Sequence, residues 1–176
     1  MDPFATLGLE PCFEIDPQQL EQRYRDLQRV LHPDRHAGAP PAQRRVAVGR
    51  AVEVNEAYRL LRDDLERATA LLELHGVTTG ERAPTPADPE LLMEMMELRE
   101  ALAEARTSGD LETVGRLRAR VERMQLSARD SVAKGFAAGA DGGIEGVAEL
   151  VGRMRYYRRF LEEVADIEDQ ALDGMP

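Results

Sequence analysis

Hydrophobic residues recur along most of this chain at the three- and four-residue spacing of an amphipathic α-helix. One such series runs between Asp16-Pro17, a typical helix start, and Pro33, which a helix cannot cross, and consists of Leu20, Tyr24, Leu27 and Leu31. It predicts a helix over about 17–31. Comparable series predict helices at about 42–62, 65–75, 90–106, 110–137 and 144–172, with a short one around Phe4, Leu7 and Leu9. The predicted fold class is all-α.

The segment 78–89, TTGERAPTPADP, divides the chain, because its three prolines prevent a helix from crossing it. Residues 1–76 are predicted to form an antiparallel helical hairpin with short flanking helices, followed by a linker at 77–89. Residues 90–176 are predicted to form a three-helix bundle, because short breaks between long helices force neighbours to pack antiparallel. An L-shaped arrangement of the two domains is expected.

The helix over 42–62 is predicted from an apolar series that consists of Val46, Val48, Ala51, Val54, Ala57, Tyr58 and Leu61. On the helix from about 90, residues Leu91, Met95, Leu98, Leu102 and Ala105 fall near one line and form a complete core stripe. Leu92, Met93 and Met96 lie on another face and are surplus apolar surface, suited to recognition of a partner. Burial of this helix on two sides is the alternative.

The last helix is predicted to carry two apolar lines. The first contains Leu150, Met154, Tyr157, Leu161, Val164 and Leu172. The second contains Tyr156, Phe160 and Ile167. The second line is expected to be another surplus stripe with aromatic anchors, although one of these aromatic residues could instead cap the bundle.

Charge and composition narrow the function classes. The chain has 23 basic and 33 acidic residues, a net charge of −10, and a pI near 4.9, which argues against nucleic acid or an acidic membrane as a partner and favours proteins. No apolar run approaches the roughly 18 residues of a membrane span, and Met1-Asp2-Pro3 is unlike a secretory signal. The single cysteine, Cys12, excludes an internal disulfide, so a reducing cytoplasm is expected.

Enzymatic and cofactor chemistry has little support in the sequence. The three histidines, His32, His36 and His75, lack the thiol and carboxylate neighbours of a metal site. The sequence has no glycine-rich phosphate loop, nucleophile elbow or paired catalytic carboxylates. An enzyme using His32 and Asp34 as acid and base would have no evident substrate pocket. The prediction is a protein without cofactor or metal that is not an enzyme.

The tripeptide His32-Pro33-Asp34 is predicted to lie in the loop that joins the first two long helices. A basic amphipathic helix precedes it and a helix containing NEAYRLL follows, and this order resembles a J-domain over residues 4–75. The resemblance implies a co-chaperone that binds a DnaK-type chaperone and stimulates its ATPase. It assigns the trigger to His32, Pro33 and Asp34, and docking to Tyr24, Arg25, Arg29 and Arg35. The spacing of Tyr24 also suits the core.

The second half carries LMEMMELRE after the proline-containing linker, and the first half ends in ALLELHG. Together with the J-domain these features resemble the HscB family of iron–sulphur cluster co-chaperones. The resemblance implies an HscA-like chaperone and an IscU-like cluster scaffold as partners. It assigns scaffold binding to Leu92, Met93, Met96, Glu97, Arg99, Glu100 and Tyr156. A J-domain protein with a different client is the alternative.

Overall fold

The structure is a computed structural model that describes residues 1–36, 38, 40–78, 88–139 and 143–173. Over these ranges the chain forms α-helices and one short 3-10 helix, which confirms the all-α prediction. The helices are α1 (Pro3–Leu7), α2 (Pro17–Leu31), the 3-10 helix (Pro33–His36), α3 (Pro41–Arg62), α4 (Asp64–Leu74), α5 (Pro89–Ser108), α6 (Leu111–Ala137) and α7 (Ile144–Asp173). The chain divides into two compact units, Met1–Gly80 and Glu81–Pro176. Most of the predicted linker lies outside the described residues.

Aspartate followed by proline starts three of the helices. The side chain of Asp2 accepts backbone hydrogen bonds of 2.9 and 3.1 Å, that of Asp16 one of 2.8 Å, and that of Asp88 two of 3.1 and 3.2 Å. Each bond satisfies an N–H group that has no partner within the helix, while proline needs none. Gly8 and Gly109 end α1 and α5 in the left-handed conformation, with φ of 64° and 72°.

The first unit is built on the α2–α3 hairpin, with α1 and α4 packed against α3. Its main buried side chains are Phe4, Leu7, Phe13, Leu20, Val54, Ala57, Leu61, Leu65, Ala68, Leu71 and Leu72. The helix predicted over 42–62 is confirmed, but its apolar series is not all core, since Val46 and Val48 are exposed and Ala47 between them is buried. Successive helical residues are about 100° apart, so a narrow core face admits only one of these three.

A buried arginine joins three parts of the first unit. Arg67 on α4 donates from Nε to the carbonyl of Phe13 and from Nη1 to the carbonyl of Leu61, both at 2.6 Å. Its guanidinium pairs with Asp64 and lies 5.0 Å from the centre of the Phe13 ring. The side chain therefore satisfies backbone groups where the chain enters α2 and leaves α3.

The second unit is a three-helix bundle in which α5 and α7 run parallel, with α6 antiparallel to both. Three contacts join α5 to α7 at successive levels: Asp88 with Arg153 (2.5 Å), Arg99 with Glu163 (3.9 Å) and Arg106 with Gln170 (3.1 Å). The α5 core stripe is confirmed, because Leu91, Met95, Leu98, Leu102 and Ala105 are all buried.

The prediction for α7 is wrong at three positions. Phe160 and Ile167, assigned to a surplus stripe, are buried, and Leu172, assigned to the core line, is 67% exposed near the helix end. Because α7 packs against both α5 and α6, its buried band is wider than one line of residues. The second apolar line is thus largely the side covered by the neighbouring helices.

One close contact between α6 and α7 occurs at a glycine. A Cβ atom added at Gly135 would clash with Cγ2 of Val147, a buried β-branched side chain. Gly115, on the same helix, faces open space. Of these two α6 glycines, Gly135 is the one that helix packing requires.

Candidate partner-binding sites

The His-Pro-Asp motif lies at the tip of the α2–α3 hairpin. His32 ends α2, and Pro33 begins the 3-10 helix, so part of the predicted loop is a helical turn. The backbone N–H of Arg35 donates to the carbonyl of His32 at 3.0 Å. Proline stops α2 because it has no N–H to continue the helical ladder. The turn holds the motif at the end of a rigid hairpin.

The side chains of His32 and Asp34 face solvent, with 60% and 91% of their areas exposed. The backbone N–H of Asp34 donates to Nδ1 of His32 at 3.3 Å. In this contact Nδ1 is the acceptor. Oδ2 of Asp34 lies 3.6 Å from Nδ1, too far for a hydrogen bond. Both side chains are accessible for recognition.

The predicted docking arginines are exposed beside the motif. Arg25 pairs with Glu21 at 2.8 Å and Arg29 with Asp26 at 3.3 Å, each on its own helix. Exposed pairs of this kind contribute little to stability, because solvent screens them. Arg35, in the 3-10 helix, is also exposed. Carboxylates of a partner can therefore replace the internal ones at little cost.

Tyr24 belongs to a polar cluster that joins α2 to α3. Its ring stacks on Tyr58 with centres 4.2 Å apart, and its hydroxyl donates to Oδ1 of Asn55 at 3.1 Å. Tyr58 in turn donates to Glu21, which lowers the pKa of the Glu21 carboxyl and raises the pKa of Tyr58. Gln28 also donates to Asn55, at 2.5 Å. Tyr24 is half-buried and has the packing role that its spacing left open; sequence reasoning missed the contribution of Asn55.

The second candidate site is the outer face of α5, and we call Leu92, Met93 and Met96 the α5 stripe. These side chains are 38%, 59% and 63% exposed, although the opposite face of the same helix is fully buried. Glu97, Arg99 and Glu100 are exposed on the same helix. An apolar patch with a charged rim is typical of a protein interface.

The parallel register of α5 and α7 places Tyr156 at the level of Leu92. The three contacts between these helices join residues 64 or 65 positions apart, and Tyr156 follows Leu92 by the same interval. Tyr156 is half-buried, whereas Phe160 is fully buried. Of the two candidate aromatic anchors, only Tyr156 has solvent-exposed surface that a partner could contact.

Neither site has the ligands of a metal centre. Among the described residues, no group of three or more His, Cys, Asp or Glu side chains is placed to hold a metal ion. The described helices also include none with the length and hydropathy needed to cross a bilayer.

Comparison with known families first identifies the class of protein. Residues 2–69 match the profile of the DnaJ domain, and this match covers α1, α2, the His-Pro-Asp tip and α3. The protein is a J-domain co-chaperone, a class whose members are not themselves enzymes.

The second unit and the full-length relatives identify the family. Residues 87–165 match the HSCB C-terminal oligomerisation domain. The chain is 38% identical to the co-chaperone protein HscB homolog of Ralstonia nicotianae, over 97% of this chain and 96% of that protein. It is 37% identical to the iron-sulfur cluster co-chaperone protein HscB homolog of Arabidopsis thaliana, over 93% of this chain and 62% of that protein. The chain belongs to the HscB co-chaperone family.

Solved structures agree with this assignment. The chaperone HscB from Vibrio cholerae superposes with a TM-score of 0.83 at 32% identity, covering 97% of this chain and 99% of that one. The human co-chaperone protein HscB superposes with a TM-score of 0.85 at 28% identity, covering 96% of this chain and 82% of that one.

Proposed function

We propose that the protein binds an IscU-like iron–sulphur cluster scaffold through its C-terminal domain and brings it to an HscA-like, DnaK-type chaperone. It stimulates the ATPase of that chaperone through His32, Pro33 and Asp34. The observation that carries the proposal is the α5 stripe, which stays exposed although the core face of the same helix is complete. The function named for the relative from Arabidopsis supports a role with iron–sulphur clusters. We place this activity in a reducing cytoplasm, in keeping with the single exposed thiol of Cys12.

The chaperone-binding half of the proposal is supported by the charge around the motif. Arg25, Arg29 and Arg35 present guanidinium groups to solvent on one rigid hairpin, close to His32 and Asp34 in the chain. A planar guanidinium binds a carboxylate through two parallel hydrogen bonds. Such a surface favours fast, weak binding to an acidic patch, as a transient regulator requires.

The scaffold-binding half is supported by the composition of the second surface. Methionine side chains are flexible and polarisable, so Met93 and Met96 can fit a partner's surface without a preformed pocket. Arg99 and Glu100 supply both charges at the rim, and Tyr156 adds an aromatic side chain at the level of Leu92.

The test is an ATPase assay with the DnaK-type chaperone and the cluster scaffold of the same organism. The protein should raise ATP turnover, and scaffold should raise it further. His32→Gln should abolish both increments, while scaffold affinity measured by calorimetry and helical content measured by circular dichroism stay unchanged. Normal stimulation by His32→Gln would disprove the trigger assignment. Stimulation by the wild type without scaffold binding would instead indicate a J-domain protein with another client.

A further inference from the structure

The α6–α7 pair extends beyond the start of α5. Arg120 on α6 contacts Glu94 on α5 at 2.8 Å, which fixes the level of the two helices. From there α6 continues for about 17 residues, or roughly 25 Å, whereas α5 begins about five residues before Glu94. For about three turns, α6 and α7 therefore have no third helix beside them among the residues that the structure describes.

A groove of about 390 Å³ opens along this part of the bundle, a volume at the small end of the range for ligand sites. Apolar side chains from both helices line it, namely Met124, Ala128, Leu150 and Tyr157. Polar side chains lie among them, namely Arg120, Arg123, Ser127, Ser131 and Arg153. The α5 stripe does not line this groove, so it is a separate surface.

Some polar side chains of the groove have hydrogen-bond or ion-pair partners, and others have none among the described residues. Arg120 and Arg153 pair with carboxylates from the start of α5. No hydrogen bond or ion pair within the described ranges engages the side chain of Arg123 or of Ser127. The hydroxyl of Tyr157 is a possible hydrogen-bond donor, and burial raises its pKa. Three arginines against two carboxylates leave the groove positive, although residues 76–176 contain 13 basic and 20 acidic residues.

We propose that this groove binds a short acidic peptide segment of a partner protein, in which a glutamate or aspartate stands beside a leucine-like residue. The carboxylate binds Arg123 and the apolar side chain packs on Met124 and Leu150. Charge complementarity favours this occupant, because the guanidinium without a partner accommodates a carboxylate in fork geometry. A long polyanion such as a nucleic acid is disfavoured by the net charge of −10.

The test uses the full chain and a defined probe, the acetylated and amidated hexapeptide Gly-Leu-Glu-Glu-Leu-Gly. Titration followed by NMR should shift the Met124 methyl and the Ser127 amide signals. Arg123→Gln should raise the dissociation constant about tenfold, as expected for the loss of a charge-assisted hydrogen bond. Arg116→Gln is the matched control on the same helix outside the groove, and it should bind the peptide like the wild type.

Three further outcomes would overturn the proposal. One is equal binding of the Gly-Leu-Gln-Gln-Leu-Gly analogue, which would mean that charge is not recognised. Another is the same shifts with acetate or inorganic phosphate at equal concentration, which would indicate an anion site only. The third is the absence of shifts at Met124 and Ser127. A variant with the α5 stripe truncated should bind the peptide normally, so this proposal and scaffold binding fail independently.

Discussion

Truncation of side chains in the α5 stripe tests most directly whether one face of α5 belongs to the core and the other binds a partner. We expect Met93→Ala combined with Met96→Ala to weaken scaffold binding strongly and to change the free energy of unfolding little. The reason is that both side chains are about 60% exposed in the free protein, at 59% and 63%. Most of their apolar area is thus left to be buried by a partner.

The exposed fractions set the magnitude. Full burial of a methionine side chain contributes about 1.5–3 kcal/mol, so the exposed parts of both residues contribute about 2–3.5 kcal/mol to binding. That free energy corresponds to a roughly 30- to 300-fold rise in the dissociation constant. The buried remainder should cost about 1–2 kcal/mol of stability in total, of which the higher helix propensity of alanine offsets a part.

The assay pairs calorimetric titration of the scaffold with chemical denaturation of each variant. Leu126→Ala on α6 is the matched exposed control, since Leu126 is also 63% exposed and lies on another helix; it should change neither quantity much. Leu98→Ala is the core control, since Leu98 is 2% exposed; it should lose about 2–5 kcal/mol of stability.

Two results would refute the reasoning. If the double methionine variant unfolds as easily as Leu98→Ala, these side chains belong to the core. If it is as stable as the wild type and binds scaffold equally well, the α5 stripe is not the scaffold interface.

Three further predictions concern docking and stability. Changing Arg25 and Arg29 to glutamate should weaken chaperone binding at least tenfold. The affinity of the wild type should fall with added salt, because exposed charges are screened over about 8 Å at physiological ionic strength. Calorimetry at two salt concentrations measures both effects, and a salt-independent affinity would contradict the docking surface. Gly135→Ala should lose about 1–3 kcal/mol of stability, because the added methyl group clashes with α7. Gly115→Ala should gain up to about 1 kcal/mol, because alanine has the higher helix propensity and meets open space there. Equal effects of the two variants in chemical denaturation would rule out the close helix contact. Arg67→Met should lose roughly 2–4 kcal/mol in the same assay, because two carbonyls lose their donor, and a neutral effect would disprove that role.

Helix boundaries were predictable because their causes are local. Asp16 and Asp88 cap helices that begin at the next residue, and Gly109 ends α5 one residue after Ser108. Capping involves atoms only two or three residues apart, so the relevant chemistry is visible in the sequence itself. The candidate motif at the tip was found for the same reason, since Pro33 must stop a helix wherever it occurs.

The buried faces of the helices were predicted correctly on α5 but only in part on α7. On α5 the core line and the α5 stripe were separated correctly by angle alone. On α7 the same argument failed for Phe160 and Ile167, because α7 packs along α6 more extensively than α5 does and buries a wider band. Angular position shows which residues share a face, but it does not show how many helices pack against it.

The sequence by itself determined the all-α class, the helix ends, the His-Pro-Asp motif and the surplus apolar stripe of α5, since these depend on local spacing. The remaining candidate residues of both surfaces came from the resemblance to the J-domain and HscB families. Tertiary structure alone decided that Arg67 is buried against two carbonyls, that the missing side chain of Gly135 leaves room for α7, and that Tyr156 lies at the level of Leu92. Each of these depends on residues brought together from distant parts of the chain. Their juxtaposition follows from how the helices pack, which local periodicity does not specify.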